Sequence, residues 1–148
     1  MTHAVSAASK GDAVKPLHNV NTADSYADLP FLPAGGVASA KGFKACGIHA
    51  GFRADPKRLD FALVAADQPA ACAAVFTTNV FCSAPVTVSK EHLDGAGYGI
   101  ARAVAINSGI ANAATGDKGL QTARQSSGIV ADALGCPVQE VLVASTGV

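Results

Sequence analysis

Val141-Leu142-Val143-Ala144 runs directly into Ser145-Thr146-Gly147-Val148, an apolar run ending in a small polar turn. The run is short, continuous and rich in β-branched residues, which marks a buried strand. The turn presents two hydrogen-bond donors, the Thr146 hydroxyl and the Gly147 N–H, from backbone that can approach a ligand closely because glycine carries no side chain. Two such donors can hold a developing oxyanion. The plainer alternative is that Ser, Thr and Gly only redirect the chain after a strand.

Immediately upstream lies one well-marked helix, starting at Gly116 or Asp117 and closing at Gly135, with Leu120, Ala123, Val130, Ala131 and Leu134 on one apolar stripe. Thr115 or Asp117 can cap its first N–H groups, Gly135 can take the left-handed conformation after the last turn, and Pro137 stops continuation. Before the helix, Ala101–Ile106 reads as a strand. Strand, helix and the Val141–Ala144 strand form a βαβ-like unit, with the relative direction of the strands left open by the sequence. The joining loop, Asn107-Ser108-Gly109-Ile110-Ala111-Asn112-Ala113-Ala114-Thr115-Gly116, is built from small residues plus two Asn. Its backbone can come close to a ligand, with the coming helix terminus ready to receive a carboxylate. Equally, its Asn side chains can bond local backbone in a tight turn.

Farther upstream the chain is dense in strand candidates: Gly42–Ala50, Asp60–Ala66 and Ala70–Thr77, punctuated by Asp55-Pro56 and Asp67-Gln68-Pro69 and read as two hairpins. Pro85–Ser89 is a further strand candidate, followed by the glycine-rich loop Asp94–Gly99. Residues 1–28 lack periodicity and read as a mobile tail. Order is expected from Leu29, with Leu29–Gly36 extended and anchored by Phe31. The expectation is therefore a tail over 1–28 and a layered α/β (α+β) core of sheet and helix over 29–148.

Composition bounds the function. At 148 residues and 49% hydrophobic content the chain can bury a core, and eleven basic residues balance eleven acidic ones. Without a net field, neither nucleic acid nor an anionic membrane is an expected partner. Apolar-rich runs such as Ala70–Phe76 and Ala101–Ile106 are far below the ~20 residues a membrane helix needs. Met1–Lys10 lacks the basic start and apolar core of a secretory signal, so the expected compartment is the cytoplasm. Cys46, Cys72, Cys82 and Cys136 lack metal-ligand spacing and sit among apolar or small residues, so four reduced thiols, no metal and no cofactor are expected. The four His read as surface or structural. Gly95, Gly97 and Gly99 precede a strand rather than a helix, against a dinucleotide-binding turn.

Taken in order, Gly42-Phe43-Lys44-Ala45-Cys46-Gly47, Asp60-Phe61-Ala62-Leu63-Val64, Val75-Phe76-Thr77-Thr78-Asn79, Ala84-Pro85-Val86, the Asn107–Gly116 loop and Ser145-Thr146-Gly147-Val148 resemble the N-terminal part of the ornithine acetyltransferase family, the bifunctional glutamate N-acetyltransferases of arginine biosynthesis. The family loop reads Asn-Ser-Gly-Asn-Ala-Asn-Ala; here Ile110 replaces an Asn and removes a polar group. The resemblance implies the fold of the self-cleaving ornithine acetyltransferase and aminopeptidase superfamily. It also implies a precursor that cuts itself before an internal Thr into an α chain and a β chain, which assemble as an α2β2 heterotetramer. The new N-terminal Thr would be the nucleophile and its own α-amine the base. Acetyl would pass from N-acetylornithine to that Thr and then to glutamate, with acetyl-coenzyme A accepted as donor by some members. Thr146 and Gly147 would form the oxyanion hole, with Asn107, Ser108, Gly109 and Asn112 in a loop near the active site.

Family α chains continue beyond this Thr-Gly before the cleavage point. The 148 residues therefore read as a fragment carrying the oxyanion donors but not the nucleophile, and inactive alone. Two other functions fit the same residues: a related self-processing aminopeptidase or amidase, and a non-catalytic binding domain.

Overall fold

The computed structural model describes residues 35–93 and 97–148. The expected tail over 1–28, the lead-in from Leu29 to Ala34 and the Asp94–Ala96 part of the glycine-rich loop lie outside the described residues. Four strands form one sheet in the order β1 (Phe43–Ile48), β2 (Phe61–Ala73), β3 (Tyr98–Ser108) and β4 (Val141–Thr146). Among the described residues two α-helices, α1 (Ala84–His92) and α2 (Gly116–Leu134), and two short 3-10 helices at Val37–Ser39 and Val138–Glu140 complete the mixed α/β architecture. β1, β2 and β3 pair antiparallel, whereas β3 and β4 pair parallel from Ala103↔Val141 to Ser108↔Thr146. β3, α2 and β4 are thus a true βαβ crossover, with the direction the sequence left open now fixed.

The second expected hairpin does not form. Asp67-Gln68-Pro69 is a bulge inside the single strand β2, where the register against β3 slips between Ala65 and Ala70. Proline within a sheet is tolerated at such a bulge, because no ladder donor is required there. The displaced backbone groups find other partners: the Asp67 N–H donates to the Gly42 carbonyl at 2.8 Å and Arg102 Nε donates to the Ala66 carbonyl at 3.0 Å. With those bonds made, the chain continues straight instead of reversing.

Pro85–Ser89 is also not a strand but the body of α1. Its Val-Thr-Val run carries strand propensity, yet Pro85 lies in the first helical turn, where its missing N–H costs nothing. Tertiary packing decides the outcome. Ser89 Oγ accepts from the Val143 N–H at 2.9 Å and donates to the Val143 carbonyl at 2.8 Å, while His92 Nδ1 donates to the Val141 carbonyl at 2.8 Å. Ser89 and His92, one helical turn apart, occupy the outer edge of β4 where a fifth strand would otherwise pair.

The core lies on the face of the sheet covered by both helices. Val88 of α1 and Ala123 of α2 pack with Ala105 and Val143, and Ala131 packs with Ala103 and Val141. Alanines at these facing positions let α2 settle close to β3 and β4. The end of α2 follows its sequence signals: Gly135 has φ +62°, its N–H reaches the Asp132 carbonyl, and the Cys136 N–H reaches the Ala131 carbonyl. The start of α2 does not. Thr115 occupies the capping position, but its hydroxyl donates to Asn112 Oδ1 at 2.6 Å instead of capping the helix.

Candidate active site

The final rung of the parallel ladder, Ser108↔Thr146, sets Thr146 beside the start of the Asn107–Gly116 loop. Side chains alternate along β4, so Val141, Val143 and Ser145 face the helices and Thr146 projects to the other face with Leu142 and Ala144. Thr146 is exposed, and its hydroxyl makes no hydrogen bond to another described residue. At Gly147 the only heavy atom within 4 Å of an added Cβ would be Ala111 Cβ at 3.8 Å, an ordinary contact. The Thr146 hydroxyl is therefore approachable, and no side chain crowds the Cα of Gly147.

Ser145 and Thr146, expected in a turn, are instead the last residues of β4, and the segment they lead into at Gly147 is partly exposed but anchored. The Gly147 carbonyl accepts from the Gly109 N–H at 3.3 Å and from Arg53 Nη2 at 3.4 Å, and Arg53 Nε donates to Ser108 Oγ at 3.3 Å. The close approach at Gly109 needs glycine, whose φ is +100° and whose added Cβ would stand 3.0 Å from Arg53 Cγ.

Arg53 is held in turn by Asp60, which is 2% exposed at the head of β2. One Asp60 carboxylate oxygen accepts from the Ala50 N–H at 2.6 Å and the other from the Arg53 N–H at 2.8 Å, with His49 Nδ1 3.3 Å away. The Asp60 carbonyl accepts from the Ser108 N–H at 2.8 Å. Burial pushes the Asp60 carboxyl pKa up, but the N–H groups of Ala50, Arg53 and Phe52 and the neighbouring His49 outweigh it, leaving the group below its usual value.

The loop residues named from sequence are largely engaged with the protein itself. Asn107 Nδ2 donates to the Ile110 carbonyl at 2.9 Å and its Oδ1 accepts from the Ser145 hydroxyl. Asn112, at φ +48°, donates from Nδ2 to the Gly119 carbonyl at 3.0 Å. Gly119 is required there, because a Cβ would overlap the Thr115 hydroxyl and Asn112 Oδ1. These are the local backbone bonds of a tight turn. Ile110 is half exposed at 52%.

A cavity of about 550 Å³ opens beside this loop, bounded by Phe52, Phe61, Asn107, Asn112, Lys118 and Ser145 among others. It lies on the helix face, so it shares the loop with Thr146 but not the face onto which the Thr146 side chain projects. Arg53 and Asp60 went unnoticed in the sequence. A charged residue at the head of an apolar strand resembles ordinary punctuation, and only the folded loop reveals its partners.

The four cysteines are unpaired, but Cys46 is exposed on the edge strand β1 and not packed as expected. Among the described residues no group of three or more His, Cys, Asp or Glu side chains could hold a metal ion, and no helix is long and apolar enough to cross a membrane.

The ArgJ family model matches residues 44–148, from β1 through the Thr146-Gly147 turn. The chain belongs to the ArgJ family. It is 49% identical over 114 residues to the arginine biosynthesis bifunctional protein ArgJ, chloroplastic, of Ostreococcus lucimarinus, which covers 77% of this chain and 24% of that protein. Against the arginine biosynthesis bifunctional protein ArgJ of Nitratidesulfovibrio vulgaris it is 51% identical over 111 residues, 75% of this chain and 28% of the relative. The chain thus spans about a quarter of the length of these relatives. Among solved structures, that of ArgJ from Bacillus halodurans superposes with a TM-score of 0.72 at 42% identity, covering 79% of this chain and 59% of the other. The ornithine acetyltransferase of Mycobacterium tuberculosis, solved in complex with ornithine, gives 0.71 at 40% identity, covering 79% and 62%.

Proposed function

We propose that this chain supplies the oxyanion hole of an acetyltransferase of arginine biosynthesis, through the Thr146 hydroxyl and the Gly147 N–H. The observation that carries the proposal is the pairing of exposure with restraint at this turn: the Thr146 hydroxyl is unengaged by other described residues, while the Gly147 carbonyl beside it is tied from two sides. Preorganised donors of this kind stabilise a tetrahedral centre without having to reorganise as charge develops. The relatives, bifunctional proteins of arginine biosynthesis and an ornithine acetyltransferase, support the reaction class.

In the proposed cycle a Thr at the N-terminus of a β chain, outside these 148 residues, attacks the acetyl carbonyl of N-acetylornithine, and its hydroxyl proton passes to its own α-amine. The tetrahedral oxyanion rests on Thr146 and Gly147. The C–N bond then breaks, ornithine leaves with the proton, and an acetyl-Thr ester remains. The amine of glutamate attacks that ester, the acyl C–O bond to Thr breaks, the amine's proton returns through the α-amine to the Thr oxygen, and N-acetylglutamate is released. Acetyl-coenzyme A would acylate the same Thr by the same geometry. The β chain arises by self-cleavage of a common precursor, and two copies of each chain assemble as α2β2. The domain over 29–148 is the N-terminal α/β part of this α chain, with Asn107, Ser108, Gly109 and Asn112 shaping the loop that supports the turn. The 148 residues alone do not turn over.

The test is Thr146→Val in the full-length enzyme, assayed as N-acetylglutamate formed from N-acetylornithine and glutamate. Valine preserves shape and removes the donor, so kcat should fall by roughly 10²–10³ with a smaller change in KM. Only processed enzyme should be counted, since self-cleavage passes through its own tetrahedral centre. Unchanged kcat would reduce the turn to a strand ending.

A further inference from the structure

Glycine is the residue least able to hold a fixed conformation unaided, so a donor on the Gly147 backbone needs neighbouring planes that do not rotate. Thr146, on one side, is fixed by the β3–β4 ladder. On the other side the Gly147 carbonyl is gripped by the Gly109 N–H and by Arg53. The Arg53 side chain bridges two separate elements, reaching Ser108 on β3 through Nε and Gly147 beyond β4 through Nη2. A planar guanidinium can make both bonds at once, whereas a Lys ammonium has no such fork. Its backbone is not free to drift, because the Arg53 N–H ends on the buried Asp60 carboxylate, which also takes the Ala50 N–H. Asp60 therefore ties Ala50 and Arg53 together in loop 49–60, and the Arg53 side chain reaches the candidate oxyanion segment.

We propose that Arg53, locked by Asp60, is a positioning residue that fixes the Gly147 backbone for oxyanion binding. The proposal rests on the oxyanion role of Thr146 and Gly147. Arg53 touches neither substrate nor the reacting atoms in this scheme; it acts through the Gly147 carbonyl and Ser108. Its removal should leave substrate binding nearly intact while the donors wander from the geometry the transition state needs. A misplacement of this kind lowers kcat by about 10- to 100-fold.

The experiment uses the full-length enzyme, with kcat and KM for N-acetylornithine measured on the processed fraction of wild type, Arg53→Ala, Arg53→Lys and Thr146→Val. The expected result is an Arg53→Ala enzyme whose kcat falls about 10- to 100-fold with KM within about twofold, and whose activity partly returns when methylguanidinium is added. Arg53→Lys, which keeps charge and bulk if the alanine variant fails to fold, should show the same kcat loss because it lacks the fork. A raised KM with unchanged kcat in either variant would overturn the proposal, since Arg53 would then be binding substrate. Full kcat in both Arg53 variants alongside a crippled Thr146→Val enzyme would overturn it while leaving the oxyanion assignment standing. Full kcat in Thr146→Val would remove the oxyanion assignment itself and the role of Arg53 with it.

Discussion

Ser89→Ala isolates what the covered edge of β4 contributes. The Ser89 hydroxyl is the only side-chain group that satisfies both the N–H and the carbonyl of Val143 among the described residues, and Val143 is 7% exposed. Alanine fits the same space and raises helix propensity slightly, so the loss falls on two buried backbone groups left without partners. Each such group costs about 1–3 kcal/mol, and a little relaxation toward solvent puts the sum near 2–4 kcal/mol. For a chain of this size that corresponds to a fall in Tm of roughly 4–16 °C. Urea unfolding of wild type and variant measures the difference, and amide exchange at Val143 locates it. Ser126→Ala is the control, because the half-buried Ser126 bonds only the Thr122 carbonyl within its own helix and satisfies no group of another element; it should change stability by less than about 0.5 kcal/mol. A Ser89→Ala variant as mild as this control would refute the idea that α1 stands in for a missing strand.

Asp60 makes stability depend on acid. Its folded pKa is depressed, so its contribution is fully present above the unfolded carboxylate value of about 3.9 and is lost as pH falls through the lower folded value. The stability gap between wild type and Asp60→Asn should be present at pH 5 and shrink as pH falls below 4 in urea unfolding; a gap that does not shrink in acid would contradict the clamp. The thiols should separate by reactivity. Burial first, and the Glu140 charge second, push the Cys136 thiol up, with Arg102 opposing, while Cys46 is exposed. The thiolate is the reacting form, so peptide mapping after brief iodoacetamide treatment near pH 8 should find Cys46 alkylated well before Cys136. Equal rates would contradict the assigned environments.

The half of the fold that local sequence could dictate was legible. Helix α2 carries a regular apolar stripe, Gly135 and Pro137 end it, and β3 and β4 on either side are rich in apolar residues. Where local propensity and tertiary partners disagreed, the sequence misled. Val86-Thr87-Val88 favours a strand on its own, but Ser89 and His92 gain three bonds to β4 only if the segment is helical. Asp67-Gln68-Pro69 has every mark of a turn, yet Arg102, distant in sequence, supplies the bond that makes a bulge the better solution. The candidate site divides in the same way. Thr146 and Gly147 stand out because a strand end and a glycine are local features. Arg53 does not, since its value lies in Ser108 and Gly147, 55 and 94 residues away.

β4 has two requirements that pull against each other. Among the described residues it is the outermost strand of the sheet and pairs with β3 alone, so its outer backbone edge must be covered. Its last residues must also stay open if they are to meet a reacting carbonyl. The chain separates the two demands along the strand. α1 covers the edge at Val141 and Val143 and reaches no farther than Ser89 and His92 allow. Beyond Ser145 the restraint comes from behind, through Gly109 and Arg53 at the Gly147 carbonyl, leaving the Thr146 side chain on the face opposite the helices. A strand held at its edge and at its end, with the Thr146 side chain on the face away from the helices, can be rigid and accessible at once, and that combination is what oxyanion stabilisation requires.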